Sequence, residues 1–407
     1  MIEGTRKNIL GVRIMKAVYL VEGARTPFGS FGGSLTNVSD IDLGVIASKE
    51  ALKRSNVSAN EIDQVFFGNV IHTTKAASYL SRHIALKAGI PIETPALTLN
   101  RLCGSGLQAV VSAAQAILLG DAETALAGGA ENMSQAPHVL RNTRFGTGLK
   151  TPEIDDMLTL TLQDQYTGCG MGITAENLAE QYEITREEQD EFALISQQRA
   201  ANARNAGRFQ KEIVSVEVSN RRGTITVSED EHIKPATSLE KLSGLRPAFK
   251  KDGTVTAGNA SGINDGAAAV VLVSEKYLEE HPNVKPLAKI TSWGVAGVDP
   301  TIMGIGPVPA SKIALAKAGL SMSDIDLIEL NEAFAAQSLA VIKALNLNPE
   351  KVNVNGGAIA LGHPVGASGT RILHSLAIEL KERQGKYGLA SLCIGGGQGI
   401  SVVIERI

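Results

Sequence analysis

Apolar residues along the chain fall into short unbroken runs, and between these runs they recur at helical spacing. Ala17 to Val21, Gln64 to Asn69 and Ala267 to Val273 read as strands, and Leu97 to Asn100 as the end of another buried strand. Runs with no polar face suit strands covered on both sides. Ser39 to Ser55 and Gly106 to Leu119 carry Ala, Val, Ile and Leu at the three- and four-residue spacing of a helix, and Thr174 to Ala206 reads as one polar helix. Strand, helix and strand in alternation predict an α/β fold built from βαβ units. Residues 1–14 precede the first run and are set aside as an N-terminal extension without fixed structure.

The alternation repeats. Ser58-Ala59-Asn60-Glu61-Ile62-Asp63, which leads into the strand at Gln64, returns as Ser321-Met322-Ser323-Asp324-Ile325-Asp326 before an apolar run ending at Leu330. At nearly the same offset Cys103-Gly104-Ser105-Gly106 lies opposite Pro364-Val365-Gly366-Ala367-Ser368-Gly369, and Thr124 to Ala130 lies opposite Leu389 to Gly397. Three matches in one order imply a duplication. One half covers 15–276, interrupted by an unmatched stretch at about 134–257, and the other covers 285–407.

Composition narrows the class. The 407 residues are 43% hydrophobic, 20% charged and 4% aromatic with 42 glycines, which suits a large α/β protein rich in tight turns. A balance of 39 basic against 42 acidic residues gives net charge -3, so no general field favours nucleic acid or a membrane surface, and neither is expected as a partner. Basic residues gather locally in the unmatched stretch, at Arg221, Arg222, Lys234, Lys241, Arg246, Lys250 and Lys251. Such a group is either a solvated face or a site for a phosphate-bearing ligand. Cys103, Cys169 and Cys393 are an odd count at wide spacing, which fits neither a disulfide framework nor a metal site and points to a reducing compartment, read as the cytoplasm. No apolar run is expected to reach the length of a membrane span.

Candidate chemistry centres on Cys103, where a strand gives way to a helix. A helix N-terminus is expected to lower a thiol pKa from about 8.5 and so make the sulfur a nucleophile, and Gly104 and Gly106 leave room for a substrate. A buried structural cysteine at a tight turn has the same local sequence. The second half weighs against that plainer reading. His363, held between Gly362 and Pro364, occupies in the repeat roughly the place of Cys103, so pseudo-twofold symmetry should bring the two turns together. Cys393 ends the next strand. Asn331 and Glu332 end another, where ligands gather in α/β sheets. Two thiols and an imidazole are expected to converge on one cleft.

Cys103-Gly104-Ser105-Gly106, Asn331-Glu332-Ala333-Phe334, Gly362-His363-Pro364 and Cys393-Ile394-Gly395-Gly396-Gly397 together resemble the motifs of the thiolase family. The likeness runs from about Met15 to Ile407 and is nearest to the acetyl-CoA acetyltransferases of that family. It implies a duplicated five-layer αβαβα fold with an inserted loop domain, usually assembled as a homotetramer, a dimer of dimers. It implies Cys103 as the acylated nucleophile, His363 as its base and Cys393 as the second acid/base. Asn331 would hold a water at an enolate oxygen, and the N–H groups of Cys103 and Gly395 would form the oxyanion hole. Acetyl-CoA, acetoacetyl-CoA and CoA enter as substrates and products, with no permanently bound cofactor and no metal. Ser261 matches a pantetheine contact, and Lys234 and Arg246 fall where the nucleotide end of CoA packs. Met171, Phe249 and Met303 match bulky pocket positions of short-chain members. Gly170 stands where many short-chain relatives have a histidine, which leaves open a 3-ketoacyl-CoA thiolase of broader chain length. Cys393 weighs against the β-ketoacyl synthases, which share the fold but use histidines there. The filled chemical positions weigh against an inactive scaffold.

Overall fold

The computed structural model describes residues 17–220 and 223–407, so the extension 1–14 and the pair Arg221 and Arg222 lie outside the described residues. The first half runs β1 (Val18–Arg25), α1 (Asp40–Ser55), β2 (Gln64–Gly68), α2 (Leu80–Ala88), β3 (Ala96–Leu99), α3 (Ser105–Leu119) and β4 (Thr124–Asn132). A long segment with helices α4 (Met171–Gln181) and α5 (Arg186–Asn205) intervenes before β5 (Asn264–Ser274). The second half keeps the order without that segment: β6 (Ala288–Gly297), α6 (Pro307–Ala318), β7 (Leu327–Leu330), α7 (Ala335–Leu345), α8 (Ser368–Arg383), β8 (Tyr387–Ile394) and β9 (Gln398–Arg406).

Pairing follows one rule twice. In the first half β5 is antiparallel to β1 and β4, and β2 is parallel to β4 and β3. In the second, β9 is antiparallel to β6 and β8, and β7 is parallel to β8; the counterpart of β3 is reduced to one parallel bridge, Ile328 to Val352. The halves, expected to hold a sheet each, join through a short ladder of Val18–Leu20 with Ala288–Ile290, giving the order β7-β8-β9-β6-β1-β5-β4-β2-β3. Alternation along the strands then separates the layers. Val18 and Leu20 of β1 and Val270 and Leu272 of β5 face a central core with α3 and α8. Val21, Ala24, Val271 and Val273 face an outer core with α1 and α2. Val403 of β9 and Leu389 of β8 face a third core with α4, α6 and α7. Helix, sheet, helix, sheet, helix is the resulting order.

The repeated Ser-x-x-acid-Ile-Asp motif has a local cause. Ser58 with Glu61, and Ser321 with Asp324, are capping boxes that open one tight turn in each half. The aspartate that follows latches the turn to the next parallel strand: Asp63 accepts from Glu123 N at 2.8 Å and Thr124 N at 3.1 Å, and Asp326 from Lys386 N at 2.6 Å and Tyr387 N at 3.1 Å.

Four expectations are corrected. Leu97 is 50% exposed, because β3 is the outermost strand of the sheet and has no neighbour on its far side. The first strand continues past Val21 to Arg25, paired throughout with β5. Thr174 to Ala206 is two helices: the chain turns at Glu183, with φ at +51°, and Thr185 opens α5 with a capping box to Glu188. Leu102–Leu119 is long and apolar enough, by composition, to cross a membrane; here it is a core helix enclosed by β2, β4 and α8.

A buried ion cluster ties the inserted segment to the sheet. Arg25, at the end of β1, donates from Nε to Glu212 at 2.7 Å and from both Nη atoms to Asp230 at 2.6 and 2.9 Å, with all three side chains buried. Arg25 and Arg208 hold the Glu212 carboxyl down to about 2 against the upward push of burial. Removing Arg25 strands the buried Asp230 carboxylate and leaves Glu212 with the Arg208 ion pair. Arg25→Ala should therefore cost about 3–5 kcal/mol in urea unfolding. A loss within about 0.5 kcal/mol, the size of a surface substitution, would show that the cluster does not hold the segment.

Candidate active site

Cys103 lies in a turn that hydrogen bonds fix before the helix begins. Asn100 Oδ1 accepts from Leu102 N at 2.8 Å, and Ser105 Oγ accepts from Arg101 N at 2.8 Å while donating to Leu102 O at 2.7 Å. Leu102 is held at φ +46°, a left-handed conformation uncommon for any residue but glycine. The small neighbours serve close approach. A Cβ on Gly104 would lie 2.5 Å from Ile394 Cδ1, and one on Gly106 would lie 2.8 Å from Gly366 O. The turn is thus seated against the end of β8 and against the loop that follows His363.

The His363 loop is pinned on both sides of the ring. Gly362 has φ +101°, and its Cα packs against Asn264, whose Oδ1 accepts from His363 N at 2.9 Å. His363 Nδ1 is 2.6 Å from Ser368 Oγ, and that hydroxyl donates to Pro364 O at 2.8 Å. With its hydrogen used there, Ser368 accepts from Nδ1, which assigns the proton to Nδ1 and the lone pair to Nε2. Nε2 is 3.4 Å from Asn331 Nδ2. Asn331 is buried just after β7, and its Oδ1 has no hydrogen-bond partner among the described residues. A buried acceptor of that kind suits a water or a substrate donor.

Burial sets the protonation states. It pushes the Cys103 thiol up to about 11, against the pull of the Gly395 and Cys103 N–H groups on the sulfur, and Glu131 adds to the rise. The lowered pKa expected at a helix N-terminus is therefore corrected, because loss of water outweighs the local dipoles. Burial also raises the pKa of Cys393, and the neighbouring Cys103 sulfur raises it further. His363 is pushed down to about 3 by burial and then by the positive charge of Arg371. At neutral pH both thiols are protonated and the imidazole is neutral.

The other candidate residues fall into two groups. Met171 Sδ is 3.4 Å from the position a Cβ on Gly395 would take, Met303 is buried in the core that holds Cys393, and Phe249 covers Gly172 and meets Phe334 edge-on at 6.1 Å. Ser261 N donates to Ala333 O at 3.0 Å, fastening the glycine-rich loop to the Asn331 motif. Lys234 is farther along, on a cavity of about 350 Å³ lined also by Gln197, His232, Lys241, Leu242 and Gly258. Arg246 is exposed and lies outside that lining. A second cavity of about 260 Å³ opens beside Leu102, Leu160, Met171 and Gly395, and a Cβ on Gly170 would meet nothing within 4 Å. Sequence reading missed Ser368, Asn264 and Glu131. Ser368 lay within reach as the hydroxyl five residues after His363, but Asn264 touches the site only through the fold.

Residues 18–276 match the family model of the thiolase N-terminal domain, and residues 284–406 that of the thiolase C-terminal domain. The chain is similar to human mitochondrial 3-ketoacyl-CoA thiolase, at 53% identity over 393 residues, 96% of this chain and 99% of that protein. It is similar also to acetyl-CoA acetyltransferase of Cupriavidus necator, at 51% identity over 394 residues, 96% of this chain and 100% of that protein. The crystal structure of human mitochondrial 3-ketoacyl-CoA thiolase in complex with CoA has a TM-score of 0.94 at 52% identity, covering 97% of this chain and 99% of that one. With both domain models matched end to end, this chain belongs to the thiolase family of acyltransferases.

Proposed function

We propose that the chain is an acetyl-CoA C-acetyltransferase, joining two acetyl-CoA into acetoacetyl-CoA and CoA and running the reverse thiolysis. Thiolases use CoA as substrate and no permanent cofactor. The observation that carries the acetyl preference is the crowding at Gly395, where Leu102 Cδ1 and Met171 Sδ lie 3.3 and 3.4 Å from where a Cβ would be. A second reading, a 3-ketoacyl-CoA thiolase of broader chain length, is favoured by the open space at Gly170 and the adjoining 260 Å³ cavity.

The chemistry follows from two neutral thiols and a neutral imidazole. As Cys103 sulfur attacks the thioester carbonyl of the first acetyl-CoA, its proton passes to His363 Nε2. The carbonyl oxygen gains charge opposite the N–H groups of Cys103 and Gly395. The bond to CoA breaks, and the departing CoA sulfur takes the proton of Cys393, so CoA leaves as a thiol and Cys393 becomes a thiolate. That thiolate removes the α-proton of the second acetyl-CoA, and the enolate oxygen rests against protonated His363 and a water held by Asn331. The enolate carbon attacks acetyl-Cys103 and forms the carbon–carbon bond. Cys103 departs as a thiolate and recovers its proton from His363, which restores all three groups.

We assign the nucleotide end of CoA to the cavity at Lys234 and Lys241 and its pantetheine arm to the loop at Ser261. Exposed Leu140, Phe145, Leu149 and Ile154 on and around the hairpin His138–Leu140 and Ile154–Asp156 suit burial by further copies in a homotetramer. All three cysteines are free, which suits a reducing compartment such as the cytoplasm.

Acetyl-CoA should label Cys103 in the wild type and in Cys393→Ala, while Cys393→Ala loses condensation roughly a thousandfold or more. Intact-mass and peptide mass spectrometry read the label, and acetyl found on Cys169 or Cys393 would sink the assignment. In a thiolysis assay acetoacetyl-CoA should give the highest kcat/KM among 3-ketoacyl-CoAs; a higher value for longer chains would replace the acetyl reading with the broader one. Lys234→Ala should raise KM for CoA about fivefold and leave KM for a pantetheine thioester unchanged. An equal effect on both substrates would remove the nucleotide from that cavity.

A further inference from the structure

Glu131 is a fully buried carboxylate on β4 that the reaction above does not use. Its Oε1 accepts from Ile71 N at 2.9 Å and Asn69 Nδ2 at 3.3 Å, and its Oε2 accepts from Val70 N at 3.0 Å and Gly366 N at 3.0 Å. Three donors belong to the loop after β2. The fourth belongs to the second half, three residues past His363. One side chain therefore spans the seam between the halves at the level of the reacting groups.

The bonds continue in both directions. Towards the nucleophile, Asn100 Nδ2 donates to Val70 O at 3.2 Å, and Asn100 Oδ1 accepts from Leu102 N, which fixes the Cys103 turn to the loop that Glu131 holds. Towards the base, Gly366 lies in the turn in which Ala367 N and Ser368 N both donate to Pro364 O at 3.0 Å, and Ser368 Oγ meets His363 Nδ1. The seam itself leaves no slack. A Cβ on Gly366 would lie 2.6 Å from Glu131 Oε2, and one on Gly129 would overlap Gly366 O. Cys103 to Asn100 to Val70 to Glu131 to Gly366 to Ser368 to His363 is one unbroken path of chain and hydrogen bonds.

Charge adds a second role. The donors to Glu131 are amides, and the titratable groups that face it are Asp40, through Asn69 Nδ2 at 3.3 Å, and Cys103; His72 acts on Asp40 from outside. Burial pushes the Glu131 carboxyl up to about 8, against the N–H groups that favour its ionised form. Above that value its negative charge opposes a thiolate on Cys103; below it the carboxyl is protonated and loss of water alone keeps Cys103 a thiol.

We propose that Glu131 is a positioning residue of the thiolase reaction, clamping the Cys103 turn to the His363 turn. The proposal rests on the roles assigned above to Cys103 and His363. Acetylation of Cys103, read by mass spectrometry in the same wild-type samples, tests those roles independently of any Glu131 result.

Two substitutions separate the clamp from the charge. Glu131→Asp keeps the charge on a shorter arm that does not reach all four donors, and Glu131→Gln keeps the length and removes the charge. Both should lower kcat by about tenfold or more, as a small misplacement of reacting groups does, with KM for CoA within about twofold of wild type. Iodoacetamide labelling of Cys103 should climb with pH from 7 to 10 in the wild type and in Glu131→Asp. Above a pH of about 8, where Glu131 is ionised, labelling in Glu131→Gln should run ahead of wild type, since removal of a like charge favours the thiolate. A structural role alone would lower Tm and leave kcat per folded molecule and the labelling curve in place, which overturns the proposal. Should Glu131→Gln not fold, Glu131→Asp still decides: wild-type kcat in that variant overturns the clamp.

Discussion

The two halves meet at the reacting groups by close approach of backbone to backbone. A Cβ on Gly106 would lie 2.8 Å from Gly366 O, and one on Gly129 or Gly369 would overlap the opposite half outright. Glycines at these positions let α3 and α8 begin side by side, so that Thr370 Oγ1 reaches Gly106 O at 2.9 Å across the seam. Everything chemical depends on that approach. Each half alone presents one turn at a strand end; only their contact places a cysteine of one half beside a histidine and a second cysteine of the other. A duplicated chain is suited to this, since two copies of one strand-to-helix turn related by a pseudo-twofold axis face each other by construction.

Depth within the fold has a chemical consequence as well as a steric one. A helix N-terminus stabilises an anion by about 0.3–1 kcal/mol at a surface and up to about 2 kcal/mol when partly buried. Loss of water disfavours the charged form of an acid, and around the half-buried Cys103 it outweighs the dipole of α3, so the thiol form prevails. The same withdrawal from water keeps His363 unprotonated and thus able to act as a base. In the proposed reaction the same withdrawal would shield an acyl-cysteine from hydrolysis, as a condensing enzyme requires of its intermediate.

Local signals made much of this legible before the fold was known. The repeated Ser-x-x-acid-Ile-Asp segment stood out because each residue in it has a local task, two in a capping box and one as a latch on the neighbouring strand, and those tasks recur in both halves. Cys103, His363, Asn331 and Cys393 stood out as reactive or polar residues set among glycines at strand ends. What escaped were residues whose partners lie far along the chain. Arg25 finds Glu212 and Asp230 only after the inserted segment folds back, and Asn264 finds His363 N across 99 positions. Glu131 did leave a trace, as the one charge in its strand, but its four donors come from two loops far from it in the chain. The break between α4 and α5 was hidden because both helices are polar at similar spacing, and a single residue at positive φ separates them.

The protonation states also constrain how the first bond forms. Burial raises the pKa of the Cys103 thiol and lowers that of the His363 imidazolium, so a separated thiolate–imidazolium pair lies well above the neutral pair. Attraction between the two charges recovers part of that difference. The remainder is too large for the ion pair to be a populated resting state, yet small enough to be met within a transition state. Proton transfer to Nε2 therefore belongs to the same event as attack of sulfur on the thioester, where negative charge passes on to an oxygen opposite oriented N–H groups. In the proposed reaction the imidazolium so formed is a strong acid, disfavoured by burial and by the charge of Arg371, and for that reason a strong hydrogen-bond donor to an enolate oxygen and a ready source of the proton that Cys103 takes back. Burial that makes the first proton transfer difficult is what makes the later donation effective.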